Sequence, residues 1–319
     1  MSMAQNRPDV SFVIAAYNAE ETIARAIESA LAQVGVTLEV VVVDDCSTDA
    51  TVEIVRQMAD PRVTVIRQSS NGGPARARNR GIEAANGAWV AVLDADDEIS
   101  AHRSARMIAR ADALTTPLVV DNLDVVAMDG GRSWRMFTED ELRARARLTL
   151  ADYISSNVLF RSTFNFGYMK PMFAREFLQR HDLAFDERLR IGEDYLLVAS
   201  ALASGATCAV EPSAGYIYHL RQGSISRVLD LHHVDSMLAA DRVFLNRFHL
   251  SDEALVAQRR RTRSLLEARA FLTLVSHIKN RSAAGALKTA IDTPRALWHL
   301  RMPIVKRLRR LMPTSTPVS

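Results

Sequence analysis

Three carboxylates stand within four positions of the segment VLDADDE, residues 92–98. Asp94 ends an apolar run that is typical of a buried strand, and Asp96 and Asp97 follow it directly. Carboxylates this close repel one another unless a cation or hydrogen-bond donors lie among them. Oxygen ligands suit Mg²⁺ or Mn²⁺, which usually keep waters and ligand phosphates in their shell. The segment therefore indicates a divalent cation held together with a diphosphate. A solvated acidic turn is the alternative.

Two further strand ends carry side chains that suit a nucleotide. Tyr17 follows VSFVIAA (10–16), and Asp44 and Asp45 end LEVVVVDD (38–45). A tyrosine ring can lie flat against a base, and a carboxylate can accept a hydrogen bond from a base N–H. Taken singly, Tyr17 would be a packing aromatic and the Asp pair a turn with a helix cap. Because ligands of parallel sheets bind beyond the carboxyl ends of the strands, we expect base, ribose and diphosphate contacts at this edge.

The segment GPARARNRGIEAAN (73–86) predicts a helix that brings Arg76, Arg78 and Arg80 near the same edge, although at least one of them only solvates the helix surface. The sequence contains neither of the common glycine-rich phosphate loops, GxxxxGK[ST] or GxGxxG between a strand and a helix. The phosphates must therefore be held by metal and side chains, which argues against kinases and dehydrogenases.

Two more segments carry candidate catalytic groups. Glu193 and Asp194 open the predicted helix EDYLLVASALASG (193–205), either as an acidic pair at the positive helix end or as a general base for an attacking hydroxyl. His219 is a candidate metal or diphosphate ligand as a neutral imidazole, or a partly buried histidine with ordinary partners. The loop after it adds phosphate-binding candidates: Arg221, Ser224 and Ser226.

Strands and helices alternate over the first part of the chain, which predicts an α/β fold with a mainly parallel sheet flanked by helices. The predicted strands are 10–16, 38–45, 62–68, 88–94 and 117–127, and the predicted helices are 19–34, 47–59, 73–86 and about 101–113. Further on, residues 207–220 predict two short strands or a strand and an extended segment. From 230 onward the pattern is helical, with breaks at Pro294 and Pro303.

Composition places limits on the compartment. The chain has 319 residues and two cysteines, Cys46 and Cys208, too few for a disulfide framework and consistent with a reducing cytoplasm. No signal-peptide pattern opens the chain, and no run of about 18 apolar residues predicts a spanning helix. We therefore expect a protein that is soluble or lies on a membrane surface.

The net charge of +3 conceals an asymmetry. Residues 1–227 carry 24 Lys and Arg against 30 Asp and Glu, whereas residues 228–319 carry 16 against 7. The second part includes RRRTR (259–263) and RMPIVKRLRRLM (301–312), in which basic and apolar residues interleave. This pattern predicts docking on an anionic membrane surface, with a solvated basic helix packed on the first part of the chain as the alternative. Nucleic acid is not an expected partner, because residues 1–227 are acidic.

Four segments resemble, in this order, the motifs of family 2 glycosyltransferases with the GT-A fold: SFVIAAYNAEETIARAIESALAQ, EVVVVDDCSTDAT, GGPARARNRGIEAANGAWVAVLDADDE and GEDYLL. The resemblance covers roughly residues 9–230. It implies a metal-dependent, inverting transfer of a sugar from a nucleotide diphosphate donor. Asp194 would be the catalytic base with Glu193 beside it, and Asp96 and His219 would bind manganese or magnesium, with Asp97 in support. The implied nucleotide-binding residues are Ala15, Tyr17, Glu20, Asp44, Asp45, Arg76, Asp94 and Ala95.

The resemblance also implies a division of the chain. Residues 1–228 would form the GT-A catalytic domain, with a nucleotide-binding half (1–115) and an acceptor and base half (116–228). Residues 229–319 would form a basic helical region.

Finer features narrow the activity. Ala16 departs from the family pattern, which often has Pro at this position. The Q-x-x-R-W motif and the spanning helices of processive synthases are missing, and their absence favours addition of a single sugar. The chain is most similar in appearance to bacterial exopolysaccharide glucosyltransferases of the succinoglycan-assembly kind. This similarity implies transfer of glucose from UDP-glucose to a lipid-linked oligosaccharide, in the cytoplasm on the inner face of the plasma membrane.

Other functions remain open at this point. The donor could carry galactose or GlcNAc, or be a GDP- or dTDP-sugar, in lipopolysaccharide or capsule synthesis. A non-catalytic nucleotide-sugar binder is a second alternative. A D-x-D phosphatase is disfavoured, because its nucleophilic Asp would follow the first strand and here the cluster follows the fourth.

Overall fold

The computed structural model describes residues 7–127, 133–160, 165–220 and 229–299. The candidates Arg221, Ser224 and Ser226, the predicted break at Pro303 and the basic segment 301–312 lie outside the described residues.

A single sheet organises the described part of the chain. Its strands are β1 Val10–Ala16, β2 Leu38–Asp44, β3 Val63–Arg67, β4 Trp89–Val92, β5 Glu98–Ile99, β6 Leu118–Ala127, β7 Trp134–Arg135, β8 Arg147–Leu148, β9 Met172–Ala174 and β10 Cys208–Leu220. Their order is β3-β2-β1-β4-β9-β6-β10-β5, with β7 paired to β6 and β8 paired to β10. β1 to β4 are parallel to one another, and β6 is parallel to β10. This confirms the predicted α/β fold.

Helices cover the sheet, which explains why β1 and β2 are continuous apolar runs rather than alternating ones. On β2, Val40 and Val42 belong to the main core, whereas Val41 and Val43 pack with Ala77 in a separate apolar cluster. The helices are α1 Ile23–Leu31, α2 Thr51–Gln57, α3 Pro74–Ala84, α4 Arg103–Ala113, α5 Glu139–Arg143, α6 Leu150–Ser156, α7 Arg175–Arg180, α8 Glu193–Ala203, α9 Leu231–Arg247, α10 Asp252–Lys279, α11 Ala283–Asp292 and α12 Pro294–His299.

The first two helices begin later than predicted, because their polar leading residues tie two loops together. Asn18 accepts at its side chain from the Thr48 backbone N–H (2.9 Å). The Ala19 backbone N–H donates to the Thr51 hydroxyl at 2.8 Å. The Asn18 and Thr51 side chains therefore join the loop after β1 to the loop after β2.

One strand prediction needs correction, and β9 was not predicted. The region 207–220 is one strand, β10, whose register with β6 shifts around Glu211 and Ala214, rather than two separate segments. β9 is not predictable from its three residues, yet it runs antiparallel between β4 and β6 and joins the two parallel parts of the sheet.

The helices α9 and α10 pack directly on the part of the chain that forms the sheet. Phe244 of α9 and Ala257 of α10 belong to the main core. A second cluster joins buried residues of α9 and α10 to Leu159 and Ile191. The basic run RRRTR lies on α10, and its central Arg261 is buried: it donates to the Asp241 carboxylate at 3.1 Å and to the Asn157 carbonyl at 3.0 Å. Arg261 therefore belongs to the interior rather than to a membrane-facing surface.

Replacing Arg261 by Met should lower the free energy of unfolding by about 3–5 kcal/mol, because the Asp241 carboxylate would stay buried without its cation. The Arg261 guanidinium also lies 3.6 Å from the centre of the Tyr195 ring on α8, a contact that the variant loses. Urea unfolding measures the change. The matched control is Arg259→Met in the same run, an exposed residue for which we expect a change within about 0.5 kcal/mol. Equal effects of the two substitutions would contradict the buried role of Arg261.

Candidate active site

Five charged side chains from distant parts of the sequence form an ion cluster, contributed by the segment after β4, the middle of α3, the start of α8 and the segment before β9. Arg78 Nη2 donates to Asp94 Oδ1 (2.8 Å), while its Nη1 donates to Glu193 Oε1 (2.9 Å) and Asp194 Oδ1 (3.1 Å). Lys170 Nζ completes the cluster with contacts to Asp94 Oδ2 (2.8 Å) and Asp194 Oδ2 (3.2 Å). Asp94, an implied nucleotide-binding residue, and Asp194, the implied catalytic base, are therefore joined through the same two cations.

The electrostatics of the ion cluster follow from burial and charge together. Burial raises the pKa of Asp94, but Lys170 and Arg78 outweigh this effect and hold the pKa well below its usual range. Burial lowers the pKa values of Arg78 and Lys170, and the surrounding carboxylates raise both of them further than burial lowers them. For Glu193, burial and then the Asp194 charge raise the pKa. Desolvated charges of this kind persist only because each has opposite charges in contact.

Of the acidic pair that opens α8, Asp194 is the more accessible carboxylate. The Asp194 side chain is 24% exposed, against 10% for Glu193. Both lie in the first turn, where the helix dipole favours negative charge. An incoming hydroxyl can therefore reach Asp194 more readily than Glu193.

Backbone features bring the segments of the ion cluster together. Gly192 precedes α8 with φ +90°, a left-handed conformation that favours glycine. Gly73 precedes α3 with φ +87°, a conformation that likewise favours glycine. The buried Arg103 donates to the Lys170 carbonyl (2.8 Å) and to both carboxylate oxygens of Asp121, which fixes the backbone that carries Lys170.

A second network ties the segment 94–98 to β10. The Tyr216 hydroxyl donates to Asp97 Oδ2 (2.8 Å) and accepts from the Asp94 backbone N–H (3.1 Å). The His219 backbone N–H donates to Asp97 Oδ1 at 2.8 Å. Burial, followed by the charges of Asp94 and Asp96, raises the pKa of Asp97 well above its usual value. Asp97 is fully buried and joins the acidic segment to the neighbouring strand.

The residues around Asp96 fit a divalent cation in part. His219 Nε2 lies 2.8 Å from Glu98 Oε1, and a carboxylate acceptor places the proton of a neutral ring on Nε2. The Nδ1 atom then carries a lone pair; it is buried and has no hydrogen-bond partner among the described residues. Asp96 is partly exposed. Within the described ranges, no group of three or more His, Cys, Asp or Glu side chains is placed to hold an ion. The unpartnered His219 Nδ1 suits a metal ligand, and the binding of one ion by Asp96 and His219 together stays a prediction.

Three of the predicted nucleotide-binding residues, Tyr17, Glu20 and Asp45, lie in the loops after β1 and β2. Tyr17 is half-exposed, as a ring that stacks on a base would be. Asp45 accepts from the backbone N–H groups of Gly72 (2.8 Å) and Gly73 (2.7 Å), and Glu20 accepts from the Ala50 backbone N–H (3.0 Å). These two carboxylates therefore shape the loops in this structure, and their contact with a nucleotide stays a prediction.

The remaining predicted residues differ in position. Asp44 is fully buried and accepts from the Ser47 backbone N–H at 3.2 Å. Ala15 and Ala95 are half-buried, and each packs against an apolar cluster. Arg76 is exposed, whereas its neighbour Arg78 is the arginine of α3 that enters the ion cluster.

Comparison with known proteins gives one family. The model of glycosyl transferase family 2 matches residues 11–177, which is more than half of the chain. The succinoglycan biosynthesis protein ExoO of Rhizobium meliloti (strain 1021) is 62% identical over 304 residues, covering 95% of this chain and 87% of that protein. The chain belongs to glycosyl transferase family 2. ExoU of the same organism, also a succinoglycan biosynthesis protein, is 36% identical over 91% of this chain and 84% of its own length.

A solved structure shows the same fold as this family 2 chain. The crystal structure of S. aureus TarS in complex with UDP-GlcNAc has a TM-score of 0.66 at 21% identity, and the match covers 90% of this chain and 81% of that chain. This agreement confirms the GT-A architecture. None of the helices among the described residues is both long and apolar enough to cross a membrane.

Sequence reasoning missed Lys170 in this family 2 transferase. Lys170 lies next to Pro171, in the irregular region before β9, and no motif marks it. The available signal was a charge imbalance, since Asp94, Glu193 and Asp194 exceed what Arg78 alone can neutralise. Arg25 was also missed: it donates to the Asp96 carbonyl (2.9 Å) and pairs with Glu98 (3.0 Å).

We expect Lys170→Met to lower the free energy of unfolding by about 3 kcal/mol and to weaken donor binding, because it removes one of two cations from a buried carboxylate cluster. Lys170→Arg keeps the charge and should lose less of both properties. Urea unfolding and titration with a nucleotide sugar measure the two effects. Lys279→Met, at an exposed position on α10, is the matched control. Wild-type stability and affinity in Lys170→Met would show that Arg78 alone suffices.

Proposed function

We propose that this family 2 transferase moves one glucosyl unit from UDP-glucose to a lipid-linked oligosaccharide, with inversion at the anomeric carbon, in the assembly of a succinoglycan-type exopolysaccharide. The observation that carries the proposal is the ion cluster. It places a carboxylate of the donor edge, Asp94, and the accessible carboxylate of α8, Asp194, on the same pair of cations.

Asp194 is the base in this mechanism. Its carboxylate takes the proton of the acceptor hydroxyl while the hydroxyl oxygen forms a bond to the anomeric carbon. The bond from that carbon to the diphosphate oxygen breaks, and its electron pair leaves with the nucleoside diphosphate. Because attack comes from the face opposite the leaving group, the configuration inverts. Arg78 and Lys170 orient the Asp194 carboxylate through one contact to each of its oxygens.

Asp96 and His219 are the residues that would hold a divalent cation. When bound, such a cation supplies positive charge beside the diphosphate as negative charge develops there. Glu98 supports this arrangement, since its contact with Nε2 at 2.8 Å sets the ring orientation and leaves Nδ1 as the ligand atom.

The identities proposed for the donor and the acceptor are inferred from similarity to known proteins. ExoO and ExoU are named for succinoglycan biosynthesis, and TarS, which shares the fold, is crystallised with UDP-GlcNAc. The choice of glucose follows the likeness to exopolysaccharide glucosyltransferases. A lipid-linked acceptor would place the protein in the cytoplasm on the inner face of the membrane, where the basic residues of 228–319 meet anionic headgroups.

A donor screen tests the proposal. UDP-, GDP- and dTDP-sugars are incubated with the full chain, with and without Mn²⁺, and release of the nucleoside diphosphate is measured. We expect hydrolysis of UDP-glucose above all other donors, and only with the metal. Binding of UDP-sugars without any hydrolysis or transfer would favour a non-catalytic binder, and preference for a GDP-sugar would overturn the proposed donor.

A further inference from the structure

The helix α11 turns its large apolar side chains away from the protein. Leu287 and Ile291 are 64% and 67% exposed, and their spacing places them on one face of the helix. The side of α11 that packs on α10 carries small residues instead. A Cβ on Gly285 would lie 2.5 Å from His277 Nδ1, so the two helices approach too closely for a larger residue there. The usual amphipathic arrangement is thus reversed, with the apolar face outward.

The next helix repeats the pattern. A single residue, Thr293, separates α11 from α12, where Leu297 and Trp298 are 46% and 65% exposed. Together, Leu287, Ile291, Leu297 and Trp298 are called the apolar face below. Exposed apolar groups in this number commonly mark an interaction site.

Basic residues accompany the apolar face. Between positions 279 and 299 the chain carries four Lys and Arg, against the single acidic residue Asp292. Arg295 pairs with Glu267 at 3.0 Å, and the surface cleft between α10 and the start of α12 carries two basic and two acidic residues, so the basic excess of this region comes from Lys279, Arg281 and Lys288. The sequence of 300–319 has five further Lys and Arg and no acidic residue. Because residues 300–319 and the region around the apolar face are both basic, charge repulsion disfavours this segment as the partner of the apolar face. The same repulsion disfavours a second copy of the face. An anionic surface instead complements these basic residues.

We propose that the apolar face lies on an anionic lipid bilayer, with its four side chains at the acyl boundary and the exposed Lys288 among the headgroup phosphates. Helices with one apolar face and flanking Lys and Arg bind in this interfacial manner, and Trp favours the same depth. The purpose of this contact rests on the proposed function: a transferase with a lipid-linked acceptor benefits from lying at the surface in which that acceptor is embedded. It assigns the contact to described residues of α11 and α12, and not only to the basic segment 301–312.

Vesicle co-sedimentation of the full chain tests the proposal. The vesicles contain phosphatidylglycerol and phosphatidylcholine in equal parts, and pure phosphatidylcholine vesicles serve for comparison. We expect wild type to bind the anionic vesicles much more tightly. The double variant Leu287→Ser/Ile291→Ser should bind them about 10- to 100-fold more weakly, because each apolar side chain moved from water is worth roughly a factor of ten.

The matched control is Val243→Ser/Val256→Ser, which removes two half-exposed valines from α9 and α10 and should leave vesicle binding unchanged. Thermal unfolding shows that both variants remain folded, and light scattering reports the oligomeric state. Wild-type binding by Leu287→Ser/Ile291→Ser would overturn the proposal, as would equal binding of wild type to both kinds of vesicle. A wild-type dimer that the double variant disrupts would assign the apolar face to a second copy instead.

Hydrolysis of UDP-glucose in solution, without vesicles, separates this inference from the proposed function. If the proposed function fails, wild type shows no hydrolysis while the vesicle comparison still stands. If only the present inference fails, hydrolysis persists and the double variant binds vesicles like wild type.

Discussion

Asp194→Asn is expected to leave binding of the nucleotide sugar nearly intact and to lower transfer by on the order of 10²–10⁴-fold, the usual contribution of a general base. The amide retains the size of the carboxylate but cannot take the proton of the acceptor hydroxyl. Donor binding should survive, because Asp94 keeps its contacts to Arg78 and Lys170, both at 2.8 Å. Isothermal titration with the donor and a transfer assay at saturating donor measure the two properties.

Two comparisons make the Asp194→Asn result specific. Asp252→Asn, at the start of α10 and exposed, changes an equivalent first-turn aspartate and should leave transfer unchanged. Glu193→Gln removes the more buried neighbour, and it should cost less transfer than Asp194→Asn because Glu193 is less accessible to an acceptor. If Asp194→Asn instead weakened donor binding strongly and preserved transfer at saturation, the roles assigned to the donor and base carboxylates would be reversed.

For Asp96→Asn we expect turnover to fall by on the order of 10²–10³-fold, the effect of losing one group that stabilises developing charge. A neutral amide is a poorer ligand for Mn²⁺ or Mg²⁺ than a carboxylate. The dependence of donor hydrolysis on Mn²⁺ concentration is the measurement, and the variant should need more metal to reach its lower maximum. Activity and manganese dependence like those of wild type would remove Asp96 from the site.

Asp97→Asn provides the contrast in the same segment. Asp97 accepts from the Tyr216 hydroxyl and from the His219 backbone N–H, so this variant should show its effect as a lower midpoint of thermal unfolding. The manganese concentration that gives half-maximal hydrolysis should stay close to that of wild type. A similar shift in manganese dependence for both variants would mean that the two carboxylates share the ion.

The fold and the order of the candidate motifs could be predicted from the sequence because their signals are local. A continuous run of β-branched residues, as in 38–44, indicates a buried strand from a few residues alone. A strand that ends in carboxylates predicts a polar sheet edge. The resemblance to the family then identified the candidate catalytic, metal-binding and nucleotide-binding residues. The bounds of α1 and α2 were less predictable, because Asn18 and Thr51 could equally cap a helix or bond to another loop, and only the folded chain chooses.

The charge partners could not be predicted in this way. Arg78 meets Asp194 across 116 positions of sequence, and Lys170 meets Asp94 only because the turn before β9 is held by Arg103. In the sequence, Arg261 is one of several basic residues in RRRTR, whereas in the structure it is buried against Asp241 and Tyr195. Periodicity shows that a residue faces inward or outward on its own element, but it does not show which residue of another element it will meet.

The sequence by itself determined the α/β architecture, the sheet edge at which the carboxylates gather and the family to which the chain belongs. The tertiary structure decided that Lys170 and Arg78 bind Asp94 and Asp194 together, that Asp97 joins β10 while Asp96 stays accessible, and that α11 turns Leu287 and Ile291 outward. The physical reason is the range of the forces. Strand and helix preferences act over a few neighbouring residues, whereas the pairing of a buried charge is settled by whichever opposite charge the completed fold brings within about 3 Å.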